Sequence, residues 1–576
     1  MRLLALLSGL LLMQSALQAQ EVQTHAVLKG EAGKPTVIIT VESVFSLLPL
    51  HGVAPVRVTI ENGSTADHTW RLAFESTSED DRLLSQFEME SKKGASTTVE
   101  LLVPVATYFS TSSYTYDQRL KYTIKANKIS AETGSFTQSC SSDWPAILMS
   151  KGLSVRNSGP LNDAVDSITS SSSDTFAVTA ELTSLPSSWR GYCGLDVVIL
   201  TDTEWLKLQT EAPAVSQALL EWSRLGGQLD IYSKQGMGPE ALGIKGVKSG
   251  TRSLGSLHFY QWNGSAFDPA EMVGRYESLK HRHQELSDSS GATQTLVSEL
   301  GLRSFGNWQV ALILIAFGVI VGPVNLFVFA KPGRRHRLFW TTPLISLIAS
   351  ALLVLLILVQ DGTGGKGERL VLVNVEPAET NAYITQYQAS RTGVLFSGAF
   401  EAKDLFISQT VLNDSPWSAV DAEGGLAKRY NVDGNVYGGD WFQSRREHGH
   451  YLQSVRSTRG RIELVSEAGQ PPVIVSSFGF ALTRLAYLDA DNSLWMSKTA
   501  VPTGDRVTLE PATKGDEKTM FPAALGSSDI DVGTLFVPGQ FVATAERVPE
   551  LTIETLGSIE WKDRAVLFGP MSGTQN

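Results

Sequence analysis

The chain has 576 residues, length for three or four domains, and carries 48 Lys and Arg against 59 Asp and Glu, a formal net charge of −11. Its basic residues are scattered apart from one cluster, which excludes nucleic acid as an expected partner. Two cysteines in this length argue against a metal–thiolate site and suggest one disulfide in an oxidising compartment.

Residues 1–19, MRLLALLSGLLLMQSALQA, read as a secretory signal peptide: Arg2, an apolar core from Leu3 to Met13, and small Ala19 at the cut. Residues 20–139 follow a β pattern. "PTVIITVES", "PVRVTIENGS", "TWRLAFEST" and "RLKYTIKA" alternate β-branched or aromatic residues with polar ones, with turns at Asn62-Gly63 and Lys93-Gly94. Short strands at this spacing predict a β-sandwich.

From 140 to 275 the character changes. The apolar runs "WPAILMS", "DTFAVTAEL", "LDVVILTD" and "QLDIYS" alternate with helical segments. In "EAPAVSQALLEWSRLGG", Val215, Ala218, Leu219, Trp222 and Leu225 recur at helical spacing and Gly226-Gly227 ends the run. Alternation of this kind predicts a parallel sheet with helices on its faces. A polar helical connector covers 276–307.

Two uncharged apolar runs follow, Trp308–Ala330 and Leu338–Val359. At 1.5 Å per residue each reaches the ~30 Å of a bilayer core. Lys331, Arg334, Arg335 and Arg337 lie between them, and so basic a loop is retained on the cytoplasmic side. The expectation is a transmembrane hairpin over 308–359 with its cytoplasmic loop at 331–337. Both large soluble regions would then lie outside a bacterial cytoplasmic membrane, with the lipid bilayer as a partner. Asn325 in the first run and Thr341 and Thr342 in the second are expected to hydrogen-bond between the helices or to carbonyls released by Pro323 and Pro343. A linker at 360–368, "DGTGGKGE" at its centre, leads into a β-rich extracytoplasmic domain over 369–576.

Candidate chemistry is sparse, and no motif calls for a cofactor. Asp202 and Glu204 follow the third strand of the α/β region, the ligand-binding end of an open parallel sheet. They are candidate ligand-binding acids, with surface loop acids as the alternative. His448 and His450 in "REHGHY" share a face if they lie on a strand, a possible zinc or copper pair, with a solvated polar loop as the alternative. Cys140 and Cys193 each precede a strand, "WPAILMS" and "LDVVIL". In a doubly wound unit those strands are parallel neighbours with their starts ~5 Å apart, which predicts a Cys140–Cys193 disulfide.

The stretches "LPSSWRGYCGLDVVILTDTEWLKL" and "SQALLEWSRLGGQLDIYS" resemble the class I glutamine amidotransferase-like fold of bacterial envelope proteins, through Asp196, Trp222, Gly226 and Gly227. The apolar pair and "FGFALTRLAYLDADNSLWMSKTAVPTG" resemble the two-span, signal-bearing group that carries that domain, largely of unassigned function. The resemblance implies a flavodoxin-like α/β domain. It supplies no catalytic residue, because no cysteine follows a strand. The expected fold class is therefore multidomain α/β plus β. The expected function is that of a membrane-anchored envelope binding or scaffold protein, an accessory subunit of a membrane complex that contacts other membrane or envelope proteins. The alternative is an envelope hydrolase acting through the α/β domain.

Overall fold

The computed structural model describes residues 22–29, 35–78, 81–107, 115–127, 129–141, 144–169, 175–244, 250–252, 254–279, 292–301, 307–329, 333, 336, 338–403, 407–412, 428–466, 470–513, 515–521 and 535–573. Residues 1–19, where a signal peptide is expected, and the loop residues Lys331, Arg334, Arg335 and Arg337 lie outside them.

The N-terminal strands are β1 (Val22–Lys29), β2 (Pro35–Ser43), β3 (Val53–Asn62), β4 (His68–Ser78), β5 (Asp81–Ser91), β6 (Ala95–Pro104), β7 (Thr115–Ala126) and β8 (Ile129–Ser141). One sheet runs β1-β2-β3-β6, and β5-β4-β7-β8 lie together in a second. Residues two apart on a strand share a face. Val37, Ile39 and Val41 on β2, Val56, Val58 and Ile60 on β3, and Trp70, Leu72 and Phe74 on β4 form one buried core with Leu120, Tyr122 and Ile124 of β7.

The α/β block comprises β9 (Ile147–Ser150), α1 (Lys151–Asp166), β10 (Val178–Ala180), β11 (Val197–Thr201), α2 (Asp202–Glu211), α3 (Pro213–Arg224), β12 (Gln228–Ser233), β13 (Gly250–Arg252), β14 (Gly255–Gln261) and α4 (Pro269–Tyr276). The sheet order is β10-β9-β11-β12-β14-β13. The first five strands are parallel and β13 runs against β14. β9 and β11 are buried along their whole length, as suits strands covered on both faces. Gly226 ends α3 with φ of +118°, a left-handed turn that disfavours a side chain.

Beyond the α/β block lie α5 (Ala292–Glu299), α6 (Asn307–Val319), a π-helical run at Ile320–Phe329 and α7 (Leu338–Asp361). Here the expected architecture needs correction. Among the described residues, no helix is long and apolar enough to cross a membrane. In the first apolar run, α6 stops at Val319 and the chain around Pro323 continues with π geometry. Pro323 has no N–H to give to an α-helical ladder, and the 13 residues of α6 span only ~20 Å. The transmembrane hairpin is therefore set aside. Many apolar side chains of these helices still face outward, Phe327, Phe339 and Trp340 most of all.

The C-terminal strands are β15 (Gly365–Glu376), β16 (Asn381–Thr392), β17 (Phe400–Glu401), β18 (Ile407–Leu412), β19 (Arg429–Asp433), β20 (Val436–Gly439), β21 (Glu447–Ser457), β22 (Ile462–Leu464), β23 (Val473–Ser476), β24 (Arg484–Leu488), β25 (Leu494–Met496), β26 (Arg506–Thr508), β27 (Glu510–Ala512), β28 (Gln540–Ala545) and β29 (Ile559–Pro570). Nine form a sheet in the order β18-β21-β16-β15-β29-β28-β24-β25-β27, and β22-β23-β26 form a small one. The remaining three, β17-β20-β19, extend the second sandwich sheet, with β19 parallel to β5 from Arg429 opposite Arg82 to Asp433 opposite Gln86. The fold class is thus mostly β, with 44% strand against 23% helix in several sheets. One of those sheets is built from both ends of the chain.

Candidate functional site

The carboxyl ends of β9, β11 and β12 converge where an open parallel sheet would bind a ligand. Ser150 caps α1, its Oγ accepting the Leu153 N–H and donating to Glu204 Oε1. Thr201 caps α2 in a capping box: its Oγ accepts the Glu204 N–H, and Glu204 Oε2 accepts the Thr201 N–H at 2.9 Å. Asp202 is buried; Ser233 Oγ donates to its Oδ2 at 2.7 Å and the Thr203 N–H to its Oδ1. The two acids singled out from the sequence are therefore engaged with neighbouring hydroxyls and amides that close the ends of the strands.

A second cluster lies on one face of the same sheet and has no sequence motif to announce it. Asp230 in the middle of β12 is fully buried. Its carboxylate accepts from Tyr276 OH at 2.6 Å, from Gln228 Nε2 at 3.0 Å and from His258 Nδ1 at 3.1 Å. Burial, with the charge of Asp230, pushes the Tyr276 phenol well above its usual range. Arg275 stacks over Tyr260, 3.7 Å from the ring centre.

A third polar set crosses the nine-stranded sheet. Asp563, Arg369, Gln388, His450 and Thr410 stand opposite one another on β29, β15, β16, β21 and β18. Arg369 lies 3.6 Å from Asp563 and 3.3 Å from Glu554, and stacks on Trp561. Burial, offset in part by those two acids, pushes Arg369 below its usual range; burial also raises Asp563. His450 Nε2 meets the Trp441 carbonyl at 3.1 Å, and its Nδ1 meets Gln388 Nε2 at 3.3 Å. His448 Nε2 meets the Gln443 backbone. The two rings do share a face, with centroids 6.3 Å apart. Among the described residues no third His, Cys, Asp or Glu joins them in a metal-sized group.

The α/β block and the nine-stranded sheet meet at Arg224. It pairs with Glu376 at 2.8 Å and Glu379 at 2.9 Å, over the ring of Tyr383, which itself donates to Glu379. Gln453 Nε2 donates to the Leu225 carbonyl at 2.6 Å. Cys193 is buried beside that contact, its Sγ 3.8 Å from the Trp189 carbonyl. Cys140 lies on β8 opposite Tyr116, with its side chain outside the described residues, and so its predicted pairing with Cys193 lies outside them too. In the apolar helices, Asn325 Nδ2 donates to Thr342 Oγ1 at 2.9 Å. An open cleft of about 800 Å³ lies beside Glu376, Arg461, Glu463 and Met571.

No family model matches the chain, and no curated protein matches it. Among solved structures it is similar to β-glucuronidase 2 of Bacteroides uniformis bound to cyclophellitol-6-carboxylate aziridine, at 9% identity over 36% of this chain and 24% of that one, TM-score 0.13. It is also similar to the yeast delta-COP-I mu-homology domain complexed with a Dsl1 WxWxV peptide, at 8% identity over 36% of this chain and 95% of that one, TM-score 0.17. A third likeness is to E. coli alpha-2-macroglobulin in its native conformation, at 9% identity over 83% of this chain and 39% of that one, TM-score 0.14. The chain spans about a quarter of the length of the glucuronidase it matches. Likenesses at these scores carry no argument.

Proposed function

We propose that the chain is a bacterial envelope protein that works by binding. In this reading it is a scaffold and accessory subunit held at the outer side of the cytoplasmic membrane, with an amidotransferase-like α/β domain that performs no chemistry. The observation that supports this most is the state of the strand ends. Ser150, Thr201, Asp202, Glu204 and Ser233 are engaged with one another where a catalytic centre of this domain type would sit. The α/β block is also locked to the C-terminal sheet through a nearly buried ion-pair cluster, as suits a rigid platform. The reading needs no spanning helix: attachment to the bilayer or to other membrane proteins falls to the outward apolar side chains of α6 and α7. Large exposed apolar patches are commonly covered by partners.

The test is isolation of the full chain in mild detergent at native abundance. The expected result is a stoichiometric complex that dissociates on Phe339→Ser with Trp340→Ser, while the far-ultraviolet circular dichroism is unchanged. A complex indifferent to both substitutions would overturn the attachment. Turnover of a glycan or peptide substrate abolished by His258→Ala, in protein that remains folded, would overturn the non-catalytic reading in favour of a hydrolase.

A further inference from the structure

The apolar helices leave and rejoin the rest of the protein at one corner of the nine-stranded sheet. On the way out, α5 ends at Glu299, and Arg391 of β16 donates through Nη1 to the Leu300 and Gly301 carbonyls. On the way back, Gly362 follows α7, and its carbonyl accepts the Val394 N–H at 3.0 Å; Gly364 N donates in turn to the Val394 carbonyl at 3.2 Å. Residues 393–399 thus form a loop beside the root of the helix pair. The loop is pinned: Leu395 N donates to Ser444 Oγ at 2.9 Å, and the Leu395 side chain packs on the C-terminal core. Phe396, next in the chain, faces outward and is 90% exposed. A pinned loop that holds a phenylalanine in water forgoes the gain of burying it, and such a group is commonly covered by a partner.

The turn that pins the loop is basic. Arg445 N donates to the Gly393 carbonyl at 2.9 Å, and Arg445 holds a left-handed backbone, φ +63°, which glycine would adopt at less cost. Arg445 and Arg446 are both exposed. Of the acids at this corner, Glu447 is paired with Arg391 at 2.6 Å, and exposed Glu560 stands opposite exposed Lys366 in the register. On α7 the apolar exposure is not confined to one face. Phe339 is 83% exposed and Ile348 52%, and at 3.6 residues per turn the two stand on about opposite sides of the helix. A protein docked on one side leaves the other in water, whereas fluid acyl chains cover both.

We propose that this corner sits in the headgroup layer of an anionic lipid membrane: Phe396 enters the acyl boundary, Arg445 and Arg446 meet lipid phosphates, and α6 and α7 enter the same leaflet. The proposal rests on the reading of the outward apolar side chains as an attachment, and names lipid, not protein, as what they meet. It asks the helices to enter one leaflet and not to cross it. The chemistry divides the work. An aromatic ring on an interfacial segment settles at the boundary between headgroups and acyl chains. A guanidinium forms paired hydrogen bonds with phosphate oxygens. Each basic residue near an anionic surface strengthens binding about fivefold, and salt screens the effect beyond about 10 Å.

The experiment is flotation of the detergent-purified full chain with vesicles of phosphatidylcholine, with and without phosphatidylglycerol, joined to a polarity-sensitive fluorophore on Phe396→Cys. The same label on Ser493→Cys, in the turn between β24 and β25 at the opposite end of the sheet, is the control, and the unsubstituted chain labelled in parallel is the blank. The label at 396 is expected to shift to the blue on vesicles and to be quenched by brominated acyl chains; the label at 493 is expected to do neither. Arg445→Gln with Arg446→Gln is expected to lower partition onto phosphatidylglycerol vesicles by about thirtyfold and to leave partition onto phosphatidylcholine alone unchanged. A chain that floats while the label at 396 stays in water, or whose partition onto anionic vesicles is indifferent to the two glutamines, would overturn the proposal and leave attachment through α6 and α7 standing. A chain that floats with neither kind of vesicle would overturn it together with attachment to the bilayer, and leave a protein partner to the scaffold reading.

Discussion

Asp230 shows how a single residue can organise a face of a sheet. A carboxylate without solvent is tolerated only where donors converge on it, and here a phenol, an amide and an imidazole do so. Removing the acceptor leaves the Tyr276 hydroxyl with only its long contact to Tyr232 OH at 3.4 Å and takes away the partner of His258 Nδ1. Asp230→Ala is therefore expected to destabilise the protein by about 3 kcal/mol, and Tyr276→Phe by about 1 kcal/mol. Urea denaturation measures both. An Asp230→Ala cost below that of Tyr276→Phe would contradict the convergence. The sequence offered no view of this cluster. "QLDIYS", "SLHFYQW" and "EMVGRY" lie on three elements, and only the parallel register that sets Asp230 opposite His258 brings them together. His448 and His450 were visible as a pair because they are two apart on one strand. Their partners Gln388, Trp441 and Gln443 were not, since cross-strand neighbours and the loop after β20 leave no local pattern.

At the scale of elements, the most legible parts were those whose burial repeats along the chain. The alternating runs of β2, β3, β4 and β7 and the helical spacing in α3 each follow from one-sided or two-sided burial. One helix escaped, and another is read too short. The sequence shows α1 only over "GPLNDAVDSI", as a capped helix after a loop, whereas it begins at Lys151, directly after its strand, and holds Pro160 inside, where proline argues against an uninterrupted helix. α2 arises from "TDTEWLKLQT", which reads as a turn because its acids sit at the front. In fact they make that front: Thr201 and Glu204 satisfy each other's backbone donors, and negative charge suits a helix N-terminus. Thr201→Ala is expected to cost about 1 kcal/mol in urea denaturation and Glu204→Gln less, since glutamine retains an acceptor. A larger cost for Glu204→Gln would mean that its bond from Ser150 outweighs the cap. The apolar runs at 308–359 teach the opposite lesson. Hydropathy reads composition alone, while the structure divides the first run where α6 gives way to the π-helical turns that hold Pro323.

At the scale of the molecule, the chain returns to its own beginning, and the sequence division at 369 hides this. Of the contacts that hold the halves together, two predict different failures. At the first, Arg224 neutralises Glu376 and Glu379 within a nearly closed interface. Arg224→Met leaves two acids facing an apolar chain and is expected to cost about 3 kcal/mol, most of it restored when Glu376→Gln is added. At the second, β19 lies along β5. A sandwich made from residues 20–139 alone retains its own core, because the residues of that core all come from β2 to β8 and the loops between them. It loses the strand that covers β5 and the apolar cover over Leu83. An uncovered edge of this kind pairs with another edge. The fragment is therefore expected to fold and to self-associate, eluting as a dimer or larger in size-exclusion chromatography at micromolar concentration. Lys introduced at Leu84, opposite Asn431 in the register, should return it to a monomer. A monomeric fragment without that substitution would mean that β5 protects its own edge, and that β19 adds to a sheet already complete.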